Sequence, residues 1–121
     1  MPADPPTVVF IHGAGSNSGF WQEQQAAFPG ARFPTLPGHF DPRTRQVTSE
    51  GLGSIEEYAD WVESYVGDAR LDRVLLNGHS MGGAIVLALA LRAPTWLQGI
   101  VLTATGARLR VSPRLLDLLR A

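Results

Sequence analysis

The residues with the clearest potential for chemistry lie together in the segment Gly78-His79-Ser80-Met81-Gly82. A serine with a glycine two positions away on each side matches the G-x-S-x-G pattern, in which the serine hydroxyl attacks a carbonyl carbon. The pattern requires a strand before it and a helix after it, because the glycines allow a turn sharp enough to push the hydroxyl into the open. The segment therefore predicts that Ser80 is a nucleophile.

The alternative interpretation is a glycine-rich turn whose serine merely caps the next helix. The apolar run "RVLLN" before the turn predicts a buried strand, and the eight apolar residues 84–91 after it predict a helix. Because both neighbouring elements are the ones that the nucleophile pattern requires, the sequence favours the nucleophile over the cap.

A second glycine-rich segment, "FIHGAGSNSGFW", follows the first apolar run. Acyl transfer needs two N–H donors directed at the oxyanion of the tetrahedral intermediate. The Met81 N–H, directly after the predicted nucleophile, is one candidate. The loop His12-Gly13-Ala14 predicts the other, through the Ala14 N–H.

The glycines of this loop also suggest a dinucleotide-binding turn, because Gly13, Gly15 and Gly19 follow a predicted strand. That turn has the spacing G-x-G-x-x-G, with an acidic residue about 20 positions later for the ribose. Position 18 is a serine, and the segment "FPTLPG" contains no acid. The dinucleotide interpretation is therefore disfavoured.

A general base for Ser80 is not evident in the sequence. In the fold that carries this pattern, the acid and then the histidine follow the nucleophile, yet after Ser80 there is no histidine, and Asp117 is the one acid. We expect Asp117 to be a solvent-facing charge, His12 to stabilise its loop, His39 to be a structural turn residue and His79 to point away from Ser80. The sequence thus predicts that the proton acceptor comes from outside this chain.

The elements that must position these residues alternate between strand and helix. The predicted strands cover residues 7–11, 32–36, 73–77 and 99–104, and the predicted helices cover residues 18–28, 54–66 and 82–92, with a further helix beginning at 112. Residues 39–53 show no periodicity and are predicted to form a loop. Alternation of this kind predicts an α/β fold, a parallel sheet of about four strands with flanking helices.

Composition excludes several classes of function. The absence of cysteine excludes disulfides and thiolate metal sites, and the absence of lysine excludes a phosphate-binding G-x-x-x-x-G-K-[ST] loop. The net charge of -1 gives no reason to expect nucleic acid as a partner. No apolar run approaches the length of a membrane span and no secretory signal is evident, so we expect a cytoplasmic protein without metal or cofactor.

Four segments, "HGAGSNSGFW", "LPGH", "SIEEYADWV" and "LLNGHSMGGAIVLALA", occur in an order that resembles the N-terminal half of an α/β-hydrolase. The nearest resemblance is to carboxylesterases and monoacylglycerol-lipase-like enzymes. It implies that Ser80 is the nucleophile, that the Ala14 and Met81 N–H groups form the oxyanion hole, and that His12, Gly13, Gly78, His79 and Gly82 support them. It also implies that residues 1–108 are the N-terminal part of the core and that residues 109–121 begin a cap.

The resemblance leads us to expect a serine hydrolase of small-molecule carboxylic esters, completed by a C-terminal polypeptide that carries the catalytic acid and histidine. A non-catalytic hydrolase-like binding module is one alternative. Another is different chemistry on the same fold, such as C–C bond hydrolysis or perhydrolysis. The aromatic residues Phe20, Trp21, Trp61 and Trp96 are expected to be buried between helices and sheet.

Overall fold

The computed structural model describes residues 5–103. Its elements in chain order are β1 (Thr7–Ile11), a 3-10 helix (Ser18–Trp21), α1 (Gln22–Ala27), β2 (Phe40–Asp41), β3 (Gln46–Val47), α2 (Ile55–Asp68), β4 (Val74–His79), α3 (Met81–Arg92) and β5 (Leu97–Thr103). The predicted cap segment at 109–121 lies outside the described residues.

A parallel sheet with the strand order β1-β4-β5 forms the centre of the described chain. The predicted fourth strand at 32–36 is reduced to one bridge, in which Arg32 pairs with Val9 on the edge of β1 opposite β4. Arg32 donates its N–H to Val8 O (2.8 Å) and accepts from Phe10 N–H (2.9 Å). The ladder would continue through the N–H of residue 34, but this residue is Pro34, which has none.

Helices α2 and α3 cover one face of the sheet. Strand residues of alternating burial supply the sheet side of this core, because successive side chains point to opposite faces. Among the buried residues of this core are Val9, Ile11, Val74 and Leu76 from the sheet, Val62 and Val66 from α2, and Ile85, Val86 and Leu89 from α3. The α/β class predicted from the sequence is confirmed.

On the opposite face, Phe10 of β1 is covered by an aromatic cluster. Its ring centroid lies 4.9 Å from those of Trp21 and Phe33 and 6.0 Å from that of Phe28. Trp21 is buried as expected. The expectation was wrong for Phe20, which is 41% exposed because its ring lies at the end of the sheet rather than over it.

Helix α2 begins with the predicted cap, and Ser54 Oγ accepts from the Glu57 N–H (3.1 Å). The Glu57 carboxylate accepts from the Gly53 N–H (2.9 Å), one residue before the capping residue. Across the helix pair, the guanidinium of Arg92 bonds Asp60 Oδ1 at 2.7 Å. This bond ties the end of α3 to α2.

The segment predicted as a loop at 39–53 contains the short antiparallel hairpin β2–β3, with Phe40 opposite Val47. The hairpin turns through Arg45, whose φ is +60°. Two-residue strands are too short to show an alternating pattern, so the sequence did not reveal them. The hairpin returns the chain to the Pro37–His39 turn, where Gly38 packs so closely on Gly51 that a Cβ would overlap the Gly51 Cα.

Candidate active site

Ser80 stands between the end of β4 and the first residue of α3, as the sequence predicted. Its backbone angles are φ +57° and ψ −117°, a conformation that costs free energy for any residue other than glycine. The residue is exposed, and its side chain makes no capping hydrogen bond to α3. The structure therefore excludes the interpretation of Ser80 as a simple helix cap.

The two flanking glycines are sterically required. A Cβ at Gly78 would overlap the Gly82 carbonyl, and a Cβ at Gly82 would overlap the Ile11 carbonyl and lie 2.7 Å from His12 O. The turn at Ser80 is thus packed directly against the backbone at the end of β1. This close packing brings the loop after β1 next to the serine.

The loop His12–Ser16 lies against Ser80. A Cβ at Gly13 would lie 3.1 Å from Ser80 Cβ, and Ala14 is exposed. The Met81 N–H belongs to the first residue of α3, where N–H groups have no acceptor within the helix. Ala14, Ser80 and Met81, the predicted oxyanion and nucleophile residues, are therefore gathered at the carboxyl end of the sheet.

His12 is fully buried, and both of its ring nitrogens are engaged. Nδ1 donates to Gly13 O (2.8 Å), and Nε2 accepts from the Leu36 N–H (2.9 Å). These partners assign the neutral ring with its proton on Nδ1. Burial lowers the pKa of His12 below its usual value of 6.5, which also favours the neutral ring.

His39 contacts the same loop, which the sequence did not reveal. Its Nε2 accepts from the Gly15 N–H (3.1 Å), and its Nδ1 donates to Pro37 O (2.9 Å). The ring lies 4.9 Å from that of His12, edge to face. "LPGH" indicated only a turn, because the partner of His39 is 24 residues away in the sequence.

The His79 ring lies on the face of the sheet opposite α3, where it stacks on Phe20 with centroids 4.4 Å apart. Phe20 is therefore an exposed aromatic side chain next to the residue that precedes Ser80. The sequence did not identify this role, since "SGFW" indicated a helix whose aromatic residues are all buried. At the same end of the sheet, Thr103 Oγ1 donates to Asn77 Oδ1 (2.8 Å) and joins β5 to β4.

The rings of His12 and His39 use both of their nitrogens on backbone groups, so neither is hydrogen-bonded to the Ser80 hydroxyl. The candidate acid Asp117 lies outside the described range, 5–103. The described residues also contain no cluster of three side chains suited to hold a metal ion. None of the helices in this part of the chain has the length and apolarity to cross a bilayer.

Comparison with known proteins places this arrangement in a family. A sequence model of the alpha/beta hydrolase family matches residues 8–121. The pimeloyl-[acyl-carrier protein] methyl ester esterase of Neisseria meningitidis is 34% identical over 113 residues, which are 90% of this chain and 40% of that enzyme.

Two solved structures are also similar. Est816, described as an N-acyl homoserine lactone degrading enzyme, superposes with a TM-score of 0.69 at 27% identity, over 84% of this chain and 39% of its own. The monoacylglycerol lipase of Paleococcus ferrophilus gives a TM-score of 0.65 at 27% identity, over 93% and 44%. This chain spans less than half the length of each of these three proteins. Its motifs, its sheet and these matches together show that the chain belongs to the alpha/beta hydrolase family.

Proposed function

We propose that the protein containing this chain is a serine hydrolase of small-molecule carboxylic esters, with Ser80 as its nucleophile. The observation that carries the proposal is the conformation of Ser80. Its φ of +57° exposes a hydroxyl that bonds to no helix N–H, at the carboxyl end of a parallel sheet. A backbone conformation that costs free energy is retained at a residue whose side chain must be held in one position.

The proposed reaction begins when Ser80 Oγ attacks the acyl carbon of the ester and its proton passes to an imidazole. The carbonyl oxygen becomes an oxyanion, which accepts hydrogen bonds from the Ala14 and Met81 N–H groups. The imidazolium then protonates the leaving alcohol, and the acyl group stays on Ser80. Water, deprotonated by the same imidazole, releases the carboxylic acid and restores the serine.

The imidazole of this reaction is proposed to come from outside the chain. The three histidines here are His12, His39 and His79. The first two use both ring nitrogens on backbone groups, and the third stacks on Phe20. We therefore place the base and its acid in a C-terminal part of the hydrolase, on the same polypeptide in its source or on a second one.

Ester substrates are supported by what the similar proteins are called, since one is a methyl ester esterase and another a monoacylglycerol lipase. Phe20 gives independent support, because its exposed ring beside the Ser80 turn offers apolar surface to an acyl group. The environment of the serine thus suits an uncharged ester with an apolar acyl part.

A fluorophosphonate probe tests the proposal, because it phosphonylates a serine only when a base activates it. Applied to the natural protein, it should label Ser80, identified by mass spectrometry of the labelled peptide, and Ser80→Ala should remove the label. Ser49→Ala, at an exposed serine of the same chain, is the matched control and should label like the wild type. Labelling that persists in Ser80→Ala would refute the assignment of the nucleophile. No labelling of the wild type would favour the non-catalytic binding module.

A further inference from the structure

We propose that His39 is a positioning residue that fixes the direction of the Ala14 N–H. The role of Ala14 as an oxyanion donor rests on the proposed function. The hydrogen bond between His39 and the loop is independent of that function. That bond joins the Gly15 N–H to His39 Nε2 at 3.1 Å.

The peptide units on both sides of Ala14 are each held by hydrogen bonds, the first from within the loop and the second from His39. The unit before Ala14 contains Gly13 O and the Ala14 N–H, and Gly13 O accepts from His12 Nδ1 (2.8 Å) and from the Ser16 N–H (3.1 Å). Because a trans peptide is planar, its N–H points opposite to its C=O. Fixing Gly13 O therefore fixes the line along which the Ala14 N–H points.

The unit after Ala14 contains the Gly15 N–H, and His39 holds this end. Gly15 has a φ of +73° and no atom within 4 Å of where its Cβ would be, so packing does not hold it. Without the bond to His39, the second peptide unit could rotate about Ala14, and only the hydrogen bonds at Gly13 O would hold the Ala14 N–H. One buried histidine and one half-buried histidine thus hold the two ends of this short loop.

The tautomer of the His39 ring suits the hydrogen bond to the Gly15 N–H. Nδ1 donates to Pro37 O at 2.9 Å, which leaves Nε2 as the acceptor that the Gly15 N–H needs. The opposite tautomer, or a charged ring, would present a second N–H to the Gly15 N–H and lose the bond. The backbone carbonyl of Pro37 therefore selects the form of the ring that can hold the loop.

The β2–β3 hairpin holds the backbone of His39. Thr48, directly after β3, donates its N–H to His39 O (2.9 Å), and its hydroxyl oxygen accepts from the His39 N–H (3.2 Å). On the other side of His39, the close contact of Gly38 with Gly51 fixes the turn. The hairpin buries little apolar surface itself, since Phe40 and Val47 are exposed. Its structural contribution is to place this ring.

The test compares His39→Gln with His39→Leu in the natural protein. A glutamine side-chain oxygen can accept from the Gly15 N–H, whereas leucine fills similar space without an acceptor. Gln46→Ala, at an exposed position in the same hairpin, is the control. Three readouts are needed: the wild-type ring tautomer from long-range 1H–15N NMR, exchange of the Gly15 amide, and kcat and KM for ester hydrolysis.

We expect the wild-type proton on Nδ1 of His39. In His39→Leu, the Gly15 amide should exchange about 10-fold faster, because its hydrogen bond is lost. The same variant should lower kcat by roughly 10- to 100-fold at nearly constant KM. The Ala14 N–H is proposed to stabilise the transition state, and a displaced N–H would stabilise it less. His39→Gln should restore both, and Gln46→Ala should change neither.

Three results would overturn the inference. The first is a wild-type proton on Nε2 of His39, and the second is a Gly15 amide exchange rate that is unchanged in His39→Leu. The third is a kcat in His39→Gln as low as that in His39→Leu. The tautomer is read in the wild type, so the test holds even if a variant fails to fold. If the wild type hydrolyses no ester, the proposed function fails, while the tautomer and the Gly15 amide still decide the role of His39.

Discussion

Ser80 occupies a backbone conformation that any Cβ makes unfavourable, by about 1 to 3 kcal/mol at functional sites of this kind. Glycine would relieve that cost, so stability alone would select glycine at position 80. A serine is retained there at the expense of stability, which is the relation expected when its hydroxyl is needed. The cost and the proposed function thus arise from the same geometry.

This relation predicts that Ser80→Gly is more stable than Ser80→Ala by about 1 kcal/mol, although both lack the hydroxyl, because only alanine keeps the strained Cβ. Chemical denaturation of the two variants measures the difference. Ala84→Gly, in the interior of α3, is the matched control and should destabilise by about 1 kcal/mol, since glycine is a poor helix former. Equal stability of the two Ser80 variants would contradict a strained turn.

At the scale of elements, the turn between β4 and α3 is fitted against the end of β1. The close approach occurs at Gly82, whose α-carbon faces the Ile11 and His12 carbonyls. Because backbone atoms stand on both sides, neither partner can move aside without displacing a strand. A side chain at position 82 therefore cannot be accommodated by the movement of another side chain alone.

We predict that Gly82→Ala lowers the free energy of unfolding by about 2 to 4 kcal/mol through this overlap. Gly83→Ala, one position later in the same helix, meets no atom closer than 3.6 Å. It should leave stability unchanged or raise it by up to about 1 kcal/mol, because alanine favours the helix. Thermal and urea unfolding of both variants provide the measurement, and similar losses in the two would exclude a steric cause specific to Gly82.

At the scale of the whole molecule, His12 joins the loop after β1 to a segment 24 residues away in the sequence. His12 directly follows β1, its Nδ1 holds the loop through Gly13 O, and its Nε2 holds the segment at Leu36. The bond at Nε2 requires a neutral ring, and the ring is buried, so the stability of the fold is linked to the protonation of His12.

Burial lowers the pKa of folded His12 below 6.5, so the unfolded chain takes up the proton first as the pH falls. Stability from this group is therefore complete above about pH 6.5 and declines below it until the folded ring also protonates, with a slope of up to about 1.4 kcal/mol per pH unit. Urea denaturation between pH 8 and pH 5 tests this. His12→Gln should flatten the slope, and Gln46→Ala, at an exposed position in the hairpin, should keep it. An equal slope in wild type and His12→Gln would refute the linkage to His12.

The sequence by itself determined the features that depend on local patterns of residues. The apolar runs gave strands β1, β4 and β5, the Ser54 and Glu57 pair marked the start of α2, and the spacing of Gly78, Ser80 and Gly82 placed a sharp turn between strand and helix. Such features depend on residues a few positions apart, and their physical causes are capping, periodicity and steric room.

Tertiary structure decided the contacts between residues far apart in sequence. It replaced a predicted strand at 32–36 by one bridge, left Phe20 exposed beside Ser80, and placed His39 on the Gly15 N–H. Each outcome depends on which groups meet once the chain has folded: a proline where the ladder needs an N–H, the end of the sheet, and a hairpin that returns the chain. Periodicity records burial but not the partner of a given polar atom, so only the folded chain could reveal how the loop beside Ser80 is held.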